Sequence, residues 1–183
     1  MTNVFNFKAS LLVAGMLALP MAQAATITKD AYKSGKDGIS AQYKTDKAAC
    51  APMSDNAKDI CVEEAKAKEK VARAELKYGY TGKASDGTKV LEVKAKTAYA
   101  VAKEKCDDQA GNAKDVCRKE AKAVEVKALA DAKMGKQIGE AKKDAAVDKR
   151  DADYKVAVEK CDALSGDPKT GCMNAAKTKF GKM

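Results

Sequence analysis

The chain has no histidine and no tryptophan, only three prolines, and 5% aromatic residues. The missing histidine removes the side chain most used as general base, triad member and zinc ligand. No G-x-S-x-G, P-loop or dinucleotide fingerprint replaces it. Acidic residues are numerous, but nothing in their spacing singles out a catalytic pair. Large apolar residues are scarce as well: Leu, Ile, Val and Phe number 20 after residue 24, about 13% of that stretch. A charged chain this poor in large side chains has no material for a thick core. The sequence therefore predicts no catalytic, cofactor-binding or metal-ligating residue, and a protein that is not an enzyme.

What the chain does hold is Ala, Lys and Glu, the strongest helix formers. Of 35 basic residues 32 are Lys, set among 26 acidic ones, for a net charge of +9 over 183 residues. Six cysteines complete the inventory. The expected result is slender helices with a thin seam of Ala, Val and Tyr, tied by disulfides that offset the small core.

The cysteines belong to a repeat. Residues 43–61, 99–117 and 154–172 share the pattern Y-x6-C-x10-C, and the first cysteines, Cys50, Cys106 and Cys161, are 56 and 55 residues apart. A fixed period of this length marks a repeated supersecondary unit. Leu91, Ala95, Tyr99, Ala102 and Cys106 fall at steps of four, four, three and four, one face of a helix. Cys117, Ala121, Val124, Ala128 and Ala132 form a second such face. Between them lies a turn and a helix start, with Asn56, Asn112 and Asp167 expected as N-caps and Pro168 at the first helical position. Each repeat is thus a helical hairpin with a cysteine on each facing stripe. A reactive pair favours C-x-x-C and a zinc site favours close Cys or His pairs, so the spacing favours structural cystines, Cys50 with Cys61, Cys106 with Cys117 and Cys161 with Cys172. Free thiols or pairs between repeats would point instead to redox, metal or cross-linking chemistry. The repeated Tyr sits on the inward stripe and reads as a core aromatic.

Residues 1–24 read as a secretory signal peptide: Lys8, an apolar run over residues 9–19, Pro20, and A-x-A at residues 22–24. The run is too short to span a bilayer. Cleavage after Ala24 leads into an oxidising compartment, which fits the even cysteine count. The first hairpin is expected over residues 25–78, with Tyr32, Ile39 and Tyr43 inward and Gly35 and Gly38 weakening its first helix. Residues 79–88, rich in Gly, Ser, Asp and Thr, predict a linker loop in which Tyr80 is the one aromatic that need not be core, with no companion motif to assign it a free partner-binding role. The second hairpin is expected over 89–139 and a truncated third over 140–183. Met134, Gly135, Ile138 and Gly139 mark either a turn or a weak spot in one long helix. The fold class is all-α: three tandem disulfide-stapled helical hairpins, elongated or loosely bundled.

The repeated K-C-D-x-x-x-G-N-A-K-D-V-C, followed by A-K-A, resembles a group of small exported proteins of Gram-negative bacteria labelled TolA-like cell-envelope biogenesis proteins. The third copy departs from it with Asp167, Pro168, Lys169, Thr170 and Gly171. The resemblance implies a periplasmic location. TolA itself has an uncleaved anchor and a separate C-terminal domain that are not recognisable here, so its role is not implied. Function is then expected to be that of a non-enzymatic envelope structural or interaction protein, partnered by an envelope protein or an anionic envelope surface. The alternatives are a Lys-rich anion-binding module for lipopolysaccharide or phospholipid and a holdase-like protective protein. Nucleic acid is not an expected partner, and no transmembrane segment is expected after signal cleavage.

Overall fold

The computed structural model describes residues 27–182, so the expected signal peptide lies outside the described residues. Five helices follow one another: α1 Lys29–Ala49, α2 Asp55–Thr81, α3 Ala84–Cys106, α4 Gly111–Asp162 and α5 Gly166–Phe180. Among the described residues there is no strand. Each helix packs only on its neighbours in the chain, α1 on α2, α2 on α3, α3 on α4 and α4 on α5. The result is an open meander rather than a closed bundle, and the all-helical, disulfide-stapled class expected from the sequence is what is found.

The two junctions between repeats differ. At the first, α2 continues to Thr81 and α3 begins at Ala84, so the turn is only Gly82 and Lys83 where a loop over residues 79–88 was expected. Gly82 takes φ 61°, and its N–H donates to the Tyr78 carbonyl at 2.8 Å, a left-handed C-terminal cap. The Thr81 hydroxyl and the Lys77 ammonium both reach the Asp86 carboxylate, at 2.6 and 3.0 Å, and tie the last turn of α2 to the first of α3. The polar residues of 79–88 thus serve the fold-back itself. At the second junction the helix does not stop, and α4 runs 52 residues, about 78 Å at 1.5 Å per residue. Gly135 and Gly139 are absorbed into it, because no Ser, Thr, Asp or Asn stands there to cap a new helix.

The core is as thin as the composition requires. Its apolar members are Cys50, Ala65, Val90, Ala95, Cys106, Ala132, Cys161 and Ala176. Two stripe residues expected inward are not: Leu91 is 52% exposed and Val124 is 65% exposed. Glu125, next in sequence to Val124, is buried instead and only 6% exposed. Its carboxylate accepts from Lys122 Nζ at 2.6 Å, and the same ammonium lies 4.9 Å from the Tyr99 ring centroid. The Tyr99 ring and the Lys122 stem together close this seam where an aliphatic stripe was expected.

The first hairpin shows why two glycines of similar context differ. A Cβ on Gly35 would lie 2.7 Å from Leu76 Cδ1, so the glycine lets Leu76 sit against the α1 backbone, whereas Gly38 meets nothing within 4 Å. Gly35 is a packing position rather than a weakness. Tyr80 is also not free: its ring stacks on Tyr32 with centroids 4.5 Å apart, and the Ile27 N–H donates to the Gly79 carbonyl at 3.1 Å. The start of α1 is thereby held on the end of α2.

Candidate functional site

The six cysteines pair within their own hairpins. Cys50–Cys61, Cys106–Cys117 and Cys161–Cys172 join Cα atoms 5.7, 5.7 and 5.6 Å apart, and no free cysteine remains among the described residues. The first cysteine of each pair is the most buried side chain of its repeat. Each cystine sits where one helix ends and the next begins, so it fixes two helix termini at the narrow end of a hairpin. This geometry assigns the cysteines a structural role, and three disulfides place the protein in an oxidising, extracytoplasmic compartment.

The hairpin tips share one backbone device. Asp55, Gly111 and Gly166 occupy the same repeat position with φ 50°, 54° and 61°, and each helix hydrogen-bond ladder begins one residue earlier, at Ser54, Ala110 and Ser165. The expected N-caps Asn56, Asn112 and Asp167 therefore lie inside the first turn. The reason is the left-handed residue, which turns the chain one step ahead of them; Asp is among the few non-Gly residues that tolerate this region. In the first repeat the freed Asn56 amide does something else. It donates to the Glu104 carbonyl at 2.9 Å and to Asp108 Oδ1 at 2.7 Å, joining the first tip to the second. Glu104 is in the last turn of α3 and its carbonyl already accepts the Asp107 N–H at 3.0 Å, so the Asn56 amide adds a second donor at that helix end.

Ion pairs close the other two tips. Lys114 and Arg118 reach the Asp107 carboxylate at 3.2 and 2.6 Å, and the equivalent Lys169 reaches Asp162 at 3.0 Å. Burial works against ionisation of Asp107, yet hydrogen bonds from Lys114 and Arg118 outweigh it and hold the carboxyl below its ordinary range. The first repeat has Ala51 in the place of that Asp and relies on Asn56. Glu64 stands four residues before Lys68 on α2, the spacing of a pair along one helix, yet reaches across to Lys105 on α3 at 2.8 Å, while Glu69 pairs with Arg73 at 2.8 Å. Sequence periodicity finds pairs along one helix and has no access to pairs across two, which is why Asn56 and Glu64 were not legible.

The surface outside these tips is dominated by α4. Every residue from 133 to 150 is exposed, and past the first turns of α3 the helix runs on toward the α5 hairpin. Seven large apolar residues remain open along α4: Val116, Val124, Val126, Met134, Ile138, Val147 and Val156. Among the described residues no helix is long and apolar enough to cross a membrane, and no cluster of His, Cys, Asp and Glu is placed to hold a metal ion. Comparison with protein-family models, curated proteins and solved structures gave no match. The class is thus defined by architecture alone: an all-helical array of disulfide-stapled hairpins.

Proposed function

We propose that the protein is a non-enzymatic periplasmic component of the cell envelope that spaces and binds other envelope components. The observation that carries this reading is α4, which joins a four-helix body at one end to a stapled hairpin at the other and leaves every residue from 133 to 150 exposed. A helix polar around most of its circumference and exposed over about five turns suits a bridge between bodies. Cystines at the tips keep the ends rigid while the middle holds its length through helix propensity. The envelope location draws on the signal-peptide pattern of residues 1–24 and on the resemblance to exported TolA-like proteins. A spacer must lose its role when its length changes.

The test is made in cells of a Gram-negative host. A photo-activatable residue at Ala141 is expected to give a discrete adduct with an envelope component, from protein released with the periplasmic fraction and beginning at Ala25. Deleting residues 140–146, about two helical turns that preserve the helix phase, is expected to change the adduct pattern without unfolding either end. Cytoplasmic retention, or an adduct pattern indifferent to the deletion, would refute the reading.

A further inference from the structure

Gly135 and Gly139 pose a question that neither the hairpins nor the spacer answers. Each sits in the interior of a helix, where Gly costs about 1 kcal/mol relative to Ala, and a Cβ added at either would meet nothing within 4 Å. Close packing is therefore not their reason. What their bare backbone leaves is an open trough of about 720 Å³ between α4 and the first turns of α3. Val90 and Leu91 form one wall, Ala132, Gly135 and Gly139 the other, and Tyr78 of α2 lies at the side. Gly87 admits the Tyr78 ring, which would come within 3.1 Å of a Cβ there. The lining is mainly apolar, with the Ser85 and Thr88 hydroxyls on the α3 side and the charged Lys136, Glu140 and Lys143 along the α4 edge. Lys136 is held only loosely, 3.8 Å from Glu140.

We propose that this trough binds a single-chain anionic amphiphile, a long-chain carboxylate, with its alkyl chain along the Ala132, Gly135 and Gly139 floor and its carboxylate at Lys136 and Lys143. The volume lies within the range of small-molecule sites, and a mainly apolar channel whose charged edge sets two lysines against one glutamate is complementary to a chain with one anionic end. A second copy of the chain is the competing occupant, and it is disfavoured because each copy carries a net +9 and presents lysines at the same edge.

The experiment uses the intact oxidised protein and dodecanoate below its critical micelle concentration, followed by titration calorimetry. One saturable site per chain is expected, with no binding of acetate and about tenfold weaker binding of non-ionic dodecyl maltoside. Gly135→Leu with Gly139→Leu fills the trough with better helix formers, so dodecanoate binding should weaken at least about tenfold while helicity and Tm hold or rise. Lys136→Gln with Lys143→Gln should weaken dodecanoate and leave the maltoside unchanged. Absence of saturable binding, or filled and wild-type proteins that bind alike, overturns the proposal. So does a dimer in the absence of ligand that the two leucines dissociate, which would give the trough to a second copy.

Discussion

Gly82 and Ile138 stand 56 residues apart, at the same place in successive repeats, and the chain reverses at the first and runs straight through the second. The difference follows from side-chain chemistry. Gly82 ends α2 in the left-handed region at φ 61°, which a β-branched residue avoids. Ile138 has no such exit, so the helix continues. The fold-back brings α2 against α3, and without it the two would be free to extend as α4 does.

Gly82→Ile is accordingly expected to strain the turn by at least about 1–2 kcal/mol. Thermal unfolding should begin at lower temperature, and solution scattering should show a larger radius of gyration as α2 and α3 open. A variant as compact and as stable as the parent would mean that the Lys77, Thr81 and Asp86 contacts set the turn without the glycine.

Gly35 and Gly38 make an internally controlled pair, three residues apart on α1. Both should gain helix propensity on substitution by Ala, about 1 kcal/mol each. Gly38→Ala meets open space and should show the gain. Gly35→Ala places a methyl 2.7 Å from Leu76 Cδ1, so Leu76 must give way and the gain should vanish or reverse. Chemical denaturation midpoints of the two variants settle the point, and equal stabilisation would show that Leu76 moves aside at no cost.

The fold was legible from the sequence wherever a local rule applied, and less so where two helices had to be considered together. Cysteine spacing located all three hairpins because a cystine at a hairpin neck needs its partners near the ends of adjoining helices. Composition predicted the thin core, since Ala and Cys supply almost all of it. The 3.6-residue period failed at Leu91 and Val124, because in an open meander each seam is one residue wide and a small drift turns a stripe residue outward. Gly, Ser and Thr in residues 79–88 suggested a loop, whereas two residues suffice when the flanking polar groups bond to one another across the turn. The trough beside Gly135 and Gly139 left only the trace of two unexplained glycines in a helix-forming stretch.

The third cystine should matter most locally. α5 is the shortest helix, at 15 residues, and besides the cystine its attachments to α4 include the Tyr154 edge on Phe180 at 6.1 Å, Lys182 to Asp151 at 2.7 Å and Lys169 to Asp162 at 3.0 Å. An isolated helix of that length is marginal in water. Cys161→Ser with Cys172→Ser, which removes a closure worth about 3 kcal/mol in the chain-entropy model, should release it. Hydrogen exchange should rise across residues 166–180 and stay slow in α2 and α3. The same change at Cys50 and Cys61 should be milder, because the Tyr32 and Tyr80 stack and the Ile27 to Gly79 hydrogen bond still hold α1. Uniform exchange in both variants would show that the hairpins unfold as one unit.

Acid should weaken the fold-back. The Thr81 hydroxyl and then the Lys77 ammonium hold the Asp86 carboxyl below its ordinary range. A carboxyl with a lowered folded-state pKa stabilises the fold above its unfolded value, near 3.8, and that contribution is lost as pH falls through the folded value. Stability should thus be flat from neutrality down to about pH 4 and decline below it. Asp107 adds a decline of the same sign at the second tip. Asp86→Asn keeps the shape but not the charge, so it should be less stable than the parent at neutral pH and converge with it at low pH. Titration of the Asp86 side-chain carbon by NMR reads the same effect directly. A midpoint at or above the ordinary Asp value would mean that Lys77 and Thr81 do not hold the carboxylate in solution, and the turn would then rest on Gly82 alone.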